Sequence, residues 1–297
     1  MTASRIARSI PSAARVVKQV RSHKRRWWLS IFTLIAVAVA SALGVGVQQV
    51  EAARGLYTLQ NLSTTFLPPF SDGHLLGTDN LGRDLLWRVV AGLGVSMIVG
   101  VSVAVLSVVL GLVIGIFAGY FGRAADGVAT VAIDVTWAFP AILLAIIFAG
   151  WLGPGLLSVS LALAMTGWAS FARVVRGEVL TLREREYVAA ARLLGVSKVR
   201  VSLRHLLPSL YPVTSVMAVF FVSTSIIGEA GLSFLGLGAQ APTPSLGVIL
   251  AEGRDYLNVS WWPVVIAGIT LIIIVLALNT VSDGLRDRLD PRGELRS

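Results

Sequence analysis

Few side chains in this chain are of a type and spacing that could do chemistry. Its three histidines, His23, His74 and His205, all fall outside the long apolar stretches, and none belongs to an HExxH pattern. That removes zinc-peptidase chemistry and a Ser/His pair working inside a membrane. Cysteine is absent, so neither a thiolate metal site nor a disulfide framework is available. No GxxxxGK[ST] loop occurs either, so the polypeptide cannot cradle the phosphates of ATP in the Walker manner. No catalytic, cofactor or metal site is therefore expected. The acid best placed to act inside a membrane is Asp134, about two helical turns beyond Asp126. It could serve a proton path, an ion site or a substrate amine, or it could pair with Arg123 or Arg173 and brace a bundle. The bracing role is favoured.

The charge is densest elsewhere, in residues 178–208, EVLTLREREYVAAARLLGVSKVRVSLRHLLP. Thr181 and Glu184 have the spacing of a capping box, which predicts a helix over 182–194. Gly195 stops that helix in a left-handed cap, Ser197 caps a second short helix, and Pro208 closes it. The patch Ala189-Ala190-Ala191 lets another surface approach the backbone closely. Such a helix-turn-helix segment is built to be gripped by another protein; alternatively it lies flat on the cytoplasmic leaflet, held by its arginines and Tyr187.

Composition sets the surroundings of these residues. With 55% hydrophobic and 14% charged residues and a mean hydropathy of +0.78, the chain reads as a polytopic all-α membrane protein. The net charge of +9 invites a nucleic-acid partner, but in a membrane protein the side on which charges fall matters more than their sum, and none is expected. Six stretches, 27–47, 89–120, 128–150, 156–174, 211–227 and 262–281, can cross about 30 Å of hydrocarbon as helices. Residues 1–26 carry eight basic residues and no acid, and 173–208 carry eight basic and three acidic; both should be cytoplasmic. Residues 51–88 and 229–260 are poor in Lys and Arg and should be external, which places both termini inside. Trp27, Trp28, Trp87, Trp151, Trp261 and Trp262 fall at the expected interfaces. Ala40-Ser41-Ala42 resembles a signal-peptide cleavage site, but the apolar run continues past it and is too long for a typical signal core.

The organisation expected is a basic arm over 1–26, which binds anionic lipid or fixes topology, a first transmembrane helix over 27–50 and an external segment over 51–88. A five-helix core over 89–284 follows, carrying the cytoplasmic loop 178–208 and an external or re-entrant loop 229–261, and then a cytoplasmic tail over 285–297. In the external segment Gly77 and Gly82 permit tight turns, Thr78 or Asp79 can cap a short helix, and Arg83 can pair with Asp79 or Asp84. That run either meets an external protein or braces the entry to the second span, and bracing is favoured. Ser107, Gly111, Gly115 and Gly119 form a small-residue stripe that admits a close helix, in this chain or in a second one. Phe139-Pro140 should kink the third span.

Several of these segments carry a family resemblance. Glu186-Tyr187-Val188, the alanine patch, Gly195 and Leu207-Pro208 resemble the EAA signature of transmembrane subunits of bacterial ATP-binding cassette importers. The run from His74 through Gly77-Thr78-Asp79 to Gly82-Arg83-Asp84 is similar to the motif before the second span in one of the two permeases of dipeptide, oligopeptide and nickel importers. So are 232–238, Pro242-Thr243-Pro244 and 251–256. The resemblance implies a type I importer permease in the bacterial cell membrane, paired with a second homologous permease. It also implies two ATPase subunits that bind ATP and Mg, and an external solute-binding protein. The implied coupling surface comprises Glu184, Arg185, Glu186, Tyr187, Ala189, Ala190, Ala191, Arg192, Gly195 and Pro208. Ala189 stands where many members have the opening glutamate, so shape should matter there more than an ion pair. A di- or oligopeptide is the implied cargo, with nickel or another small solute as the alternative. A secondary transporter or channel using Asp134, or a membrane scaffold without transport, is the reading from another class.

Overall fold

A computed structural model describes residues 13–71 and 73–289 as a bundle of helices. Residues 1–12 of the 1–26 arm lie outside the described residues, as does 290–297 of the expected tail. The helices are α1 (Ala13–Arg54), α2 (Leu85–Phe121), α3 (Arg123–Trp137), α4 (Ala141–Leu152), α5 (Leu156–Leu182), α6 (Glu186–Leu193), α7 (Lys198–Val201), α8 (Leu207–Phe234), α9 (Leu246–Arg254) and α10 (Trp262–Leu289). Five are long and apolar enough to cross a membrane, or six if the bent pair α3 and α4 counts as one span. Among the described residues the only pairing of extended backbone is two isolated bridges, Ser71 with His74 and Thr78 with Asp84.

The central packing is α2 against α5, and the sequence explains why these helices approach so closely. A Cβ built on Gly111 would lie 2.2 Å from Cβ of Phe171, one on Gly115 2.7 Å from Cβ of Val175, and one on Gly119 2.7 Å from Cγ1 of Val179. The small-residue stripe thus serves contacts within the chain, where backbone-to-backbone approach supplies the dispersion energy that lipid gives no hydrophobic effect to replace. Ser107 is fully buried on the same stripe. At 37 residues α2 is about 55 Å long, well beyond a bilayer's hydrocarbon. Its last turns and those of α5 therefore stand outside the apolar layer and carry the loop that follows.

Three expectations need correction. Phe139-Pro140 does not kink one helix; it divides the third span into α3 and α4, which meet at 91°. Pro140 offers no N–H to the ladder and pushes the residue before it out of helical conformation, so the chain breaks and restarts at Ala141. The fifth span is longer than 211–227: α8 runs to Phe234, taking in Glu229 that charge counting had assigned to a loop. The external loop 229–261 is correspondingly shorter and holds the helix α9, capped by Ser245, whose hydroxyl accepts from the Val248 N–H at 3.2 Å.

Candidate functional site

Residues of functional interest gather at the two ends of the bundle. At one end α5 does not stop before Thr181. The Thr181 hydroxyl donates back to the Gly177 carbonyl at 3.3 Å, so the expected capping box is not formed. The helix ends at Leu182, a turn of Arg183, Glu184 and Arg185 follows, and α6 begins at Glu186 without a side-chain cap. Packing accounts for this, because Val179, Leu182 and Val188 all contribute to one apolar cluster with Tyr120, Val175, Val201 and Leu210. Keeping Val179 and Leu182 on α5 buries more than an earlier cap would satisfy.

The end of α6 follows expectation closely. Gly195 has φ +77°, its N–H donates to the Arg192 carbonyl at 3.0 Å, and the Val196 N–H donates to Ala191 at 3.1 Å. This is the Schellman arrangement, and Val196 packs into the same cluster as Ala191. Ser197 then caps α7, accepting from the Arg200 N–H at 3.4 Å. Pro208 does not close this second helix. Residues Ser202–Leu206 form a π-helical turn, in which the Leu207 N–H donates to the Ser202 carbonyl, and α8 continues from it with Pro208 in its first turn. The wide turn absorbs the missing donor of Pro208 and its clash with the preceding turn. Helices α7 and α8 therefore act as one rod, joined to α6 through Gly195.

Only one face of α6 is buried. Val188 and Ala191 point inward, whereas Glu184, Arg185, Glu186, Tyr187, Ala189 and Ala190 are exposed. At its tip Leu193 is 89% and Leu194 83% exposed, the most strongly exposed pair of adjacent apolar residues at this end. Arg192 is shared with the bundle: its guanidinium lies 4.7 Å over the Tyr120 ring, and its Nε donates to the Tyr120 hydroxyl at 3.2 Å. Arg183 likewise donates to the Gly119 carbonyl at 3.1 Å. An open groove beside α6 is lined by Leu182, Glu184, Arg185, Glu186 and Tyr187.

At the opposite end the segment before α2 is fixed by charge. The Asp79 carboxylate accepts from the N–H groups of Leu81 and Arg83 at 2.9 and 3.0 Å, from Nε of Arg83 at 2.7 Å, and from Arg88. Glu252 on α9 accepts from Arg83 and Arg88, each at 2.8 Å. Two acids and two arginines thus form a balanced quartet that ties residues 79–88 to α9. Burial alone would raise the Asp79 carboxyl; Arg88, Arg83 and the two backbone donors outweigh it and hold the group below the ordinary carboxylate range. Asp84, rather than Thr78 or Asp79, caps a helix: it accepts from the Trp87 N–H at 3.3 Å and pairs with Nδ1 of His74 at 2.7 Å. The Thr78 hydroxyl instead holds Leu67 and Thr64, and the Thr78 carbonyl accepts from Nε1 of Trp262 at 3.2 Å. Trp262 is buried and braces the clamp. Gly77 and Gly82 both take positive φ under backbone carbonyls.

Asp134 has one of the two partners that the sequence offers it. Asp134 is exposed and pairs with Arg173 at 2.7 Å. The enclosed acid is Glu229, which is fully buried and accepts from the hydroxyls of Ser96 on α2 at 2.8 Å and Ser233 at 2.6 Å. Sequence reasoning missed Glu229 because its neighbours Gly228, Gly231, Gly236 and Gly238 read as loop. It also missed Arg88 and Glu252. An arginine in the first turn of an apolar helix, where the dipole disfavours it, was the available signal for an acidic partner.

Over residues 111–294 the chain matches a family described as the inner membrane component of binding-protein-dependent transport systems. A permease protein of Brucella suis biovar 1 named for peptide transport is 42% identical over 269 residues, covering 91% of this chain and 88% of the relative. The di/tripeptide transport system permease protein of Pseudomonas aeruginosa (strain UCBPP-PA14) is 40% identical over 218 residues, 73% of this chain and 72% of its own. The oligopeptide transport system permease protein of Escherichia coli (strain K12) is 40% identical over 225 residues, covering 76% and 74%. Among solved structures, a chain of the MetNI methionine ABC transporter in inward facing conformations superposes with a TM-score of 0.56 at 18% identity, covering 69% of this chain and 97% of that one. At that identity the likeness speaks for the fold alone.

Proposed function

Because the chain belongs to the family of inner membrane components of binding-protein-dependent transport systems, we propose that it is the multi-pass permease subunit of an importer that carries di- or oligopeptides across the cell membrane. The cargo assignment draws on relatives named for peptide, di/tripeptide and oligopeptide transport, two of them 40% identical over about three quarters of the chain. The subunit itself carries no catalytic step. ATP and Mg belong to two partner ATPases, an external solute-binding protein delivers the peptide, and a second homologous permease completes the path.

One observation supports the coupling role most strongly. Helix α6 is held by the Schellman turn at Gly195 and tipped with the exposed Leu193 and Leu194. A side chain so exposed and so apolar gains by being covered, and here covering it would connect a partner directly to α5 and to the α7–α8 rod. Movement of that partner during its ATP cycle then reaches two spans at once. With Ala189 in place of an acid, the fit rests on shape, with Glu184, Arg185 and Glu186 at its margin.

Reconstitution into liposomes tests this. The complete complex should accumulate labelled dipeptide only with ATP and binding protein present, and this chain alone should move none. Uptake or conductance from the chain alone would overturn the proposal in favour of a secondary transporter or channel. Uptake of nickel but not of peptide would replace the cargo.

A further inference from the structure

The Asp134–Arg173 pair is oddly exposed for its position. Arg173 lies about 25 Å along α5 from Leu156, within the reach of the hydrocarbon layer. Yet the arginine and aspartate side chains are 44% and 61% exposed, and Val131 and Val135 beside them on α3 are exposed too. An ion pair turned toward lipid at that depth is costly, and such charges normally face a bundle interior or a water-filled cavity. The charges on this face of α3 and α5 therefore call for water or a polar partner rather than lipid.

The chemistry of the pair suits one kind of visitor. Arg173 donates through Nη2 to Oδ1 of Asp134 at 2.7 Å, and its guanidinium lies 4.3 Å over the ring of Trp137. An ion pair in contact with water is weak, so its two partners are easily exchanged. A free peptide at neutral pH carries an α-carboxylate and an α-ammonium. The planar fork of arginine binds a carboxylate in two places, and an indole face attracts a cation. Trp137 is also the last residue of α3 before the break, which holds the group at a bend in the chain.

We propose that Asp134, Arg173 and Trp137 line the translocation path and exchange their mutual contacts for the charged termini of the passing peptide, Arg173 taking the carboxylate and Asp134, beside Trp137, the ammonium. The proposal rests on the peptide-import reading.

The test uses the assembled complex in liposomes. The chain has no cysteine, so Val135→Cys introduces a single thiol whose modification is followed by mass. A charged, water-soluble thiol reagent should label it, and peptide turnover should slow the labelling. Labelling only by a lipid-soluble reagent, or by neither, overturns the placement. Arg173→Gln should lower uptake of a free dipeptide about ten-fold, the consequence of losing one charge-assisted hydrogen bond. The same variant should carry a C-terminally amidated peptide that the binding protein still accepts at the wild-type rate. Asp134→Asn should show the mirror pattern with an N-acetylated peptide. Equal losses on free and blocked peptides would mark the pair as a mere brace and overturn the proposal. A wild-type complex that moves no dipeptide overturns the import reading itself and this assignment with it.

Discussion

Gly82 and Gly195 share a left-handed backbone, with φ +69° and +77°, but their surroundings are opposite. A Cβ on Gly82 would sit 1.9 Å from the Asn61 carbonyl oxygen, whereas one on Gly195 would meet nothing within 4 Å. The same contrast runs through the two regions that hold these residues. Around Gly82 the buried charges Asp79, Arg83 and Arg88 are answered inside the chain, by one another and by Glu252. Around Gly195 the inward face of α6 is packed, and its outward face offers Leu193 and Leu194 to solvent. The first region is closed by its own residues, and the second leaves an apolar tip uncovered.

The sharpest way to break this comparison is Gly82→Ala. The left-handed backbone alone costs about 1–2 kcal/mol with a side chain, and the carbonyl clash raises the total to about 4 kcal/mol or more, in the range reserved for strained, over-determined sites. Thermal unfolding of the purified protein in detergent should show the loss directly. Asp79→Ala ranks next, at about 3 kcal/mol, because it leaves two buried arginines facing one carboxylate. Acid should imitate that substitution in the native protein. Asp79 titrates below its ordinary value when folded, so its contribution is complete above about pH 4 and is lost as the pH falls through the lowered value. The stability gap between the native chain and Asp79→Asn should be widest near neutrality and should narrow below about pH 4. A gap that widened in acid would mean that the clamp is held by something other than this carboxylate.

How much of each region was legible in the sequence follows from how local its forces are. Gly195, Ser197 and the α2 glycine stripe were readable because a left-handed cap, an N-cap and a four-residue spacing act within one or two turns. The expected capping box at Thr181 failed because a tertiary cluster, from Tyr120 to Leu210, outweighed one local pair of hydrogen bonds. Glu252 and Arg83 are 169 positions apart, and no short-range rule brings them together. Phe139-Pro140 announced a disturbance, but the size of the bend depends on neighbouring helices. Glu229 was misread as part of a loop because a window of glycines and charges looks alike whether it is solvated or, as here, helical and buried against Ser96 of α2.

Smaller effects should appear at the uncovered end. Gly195→Ala meets open space, so its cost is the backbone term alone, about 1 kcal/mol. That is small enough for the isolated chain to stay folded, while the angle of α6 shifts and co-purification with the ATPases weakens. The least destabilising change is the most informative. Leu193→Asp with Leu194→Asp alters side chains that are almost entirely exposed, and should change the stability of the chain by no more than about 0.5 kcal/mol. If this tip is the surface on which the ATPases close, the same double variant should lose them on co-purification and lose ATP-driven peptide uptake, although the chain remains folded in the membrane. A variant that kept its ATPases would place the docking surface elsewhere along the loop, and the two ends of the bundle would no longer differ in the way their exposed leucines and buried charges indicate.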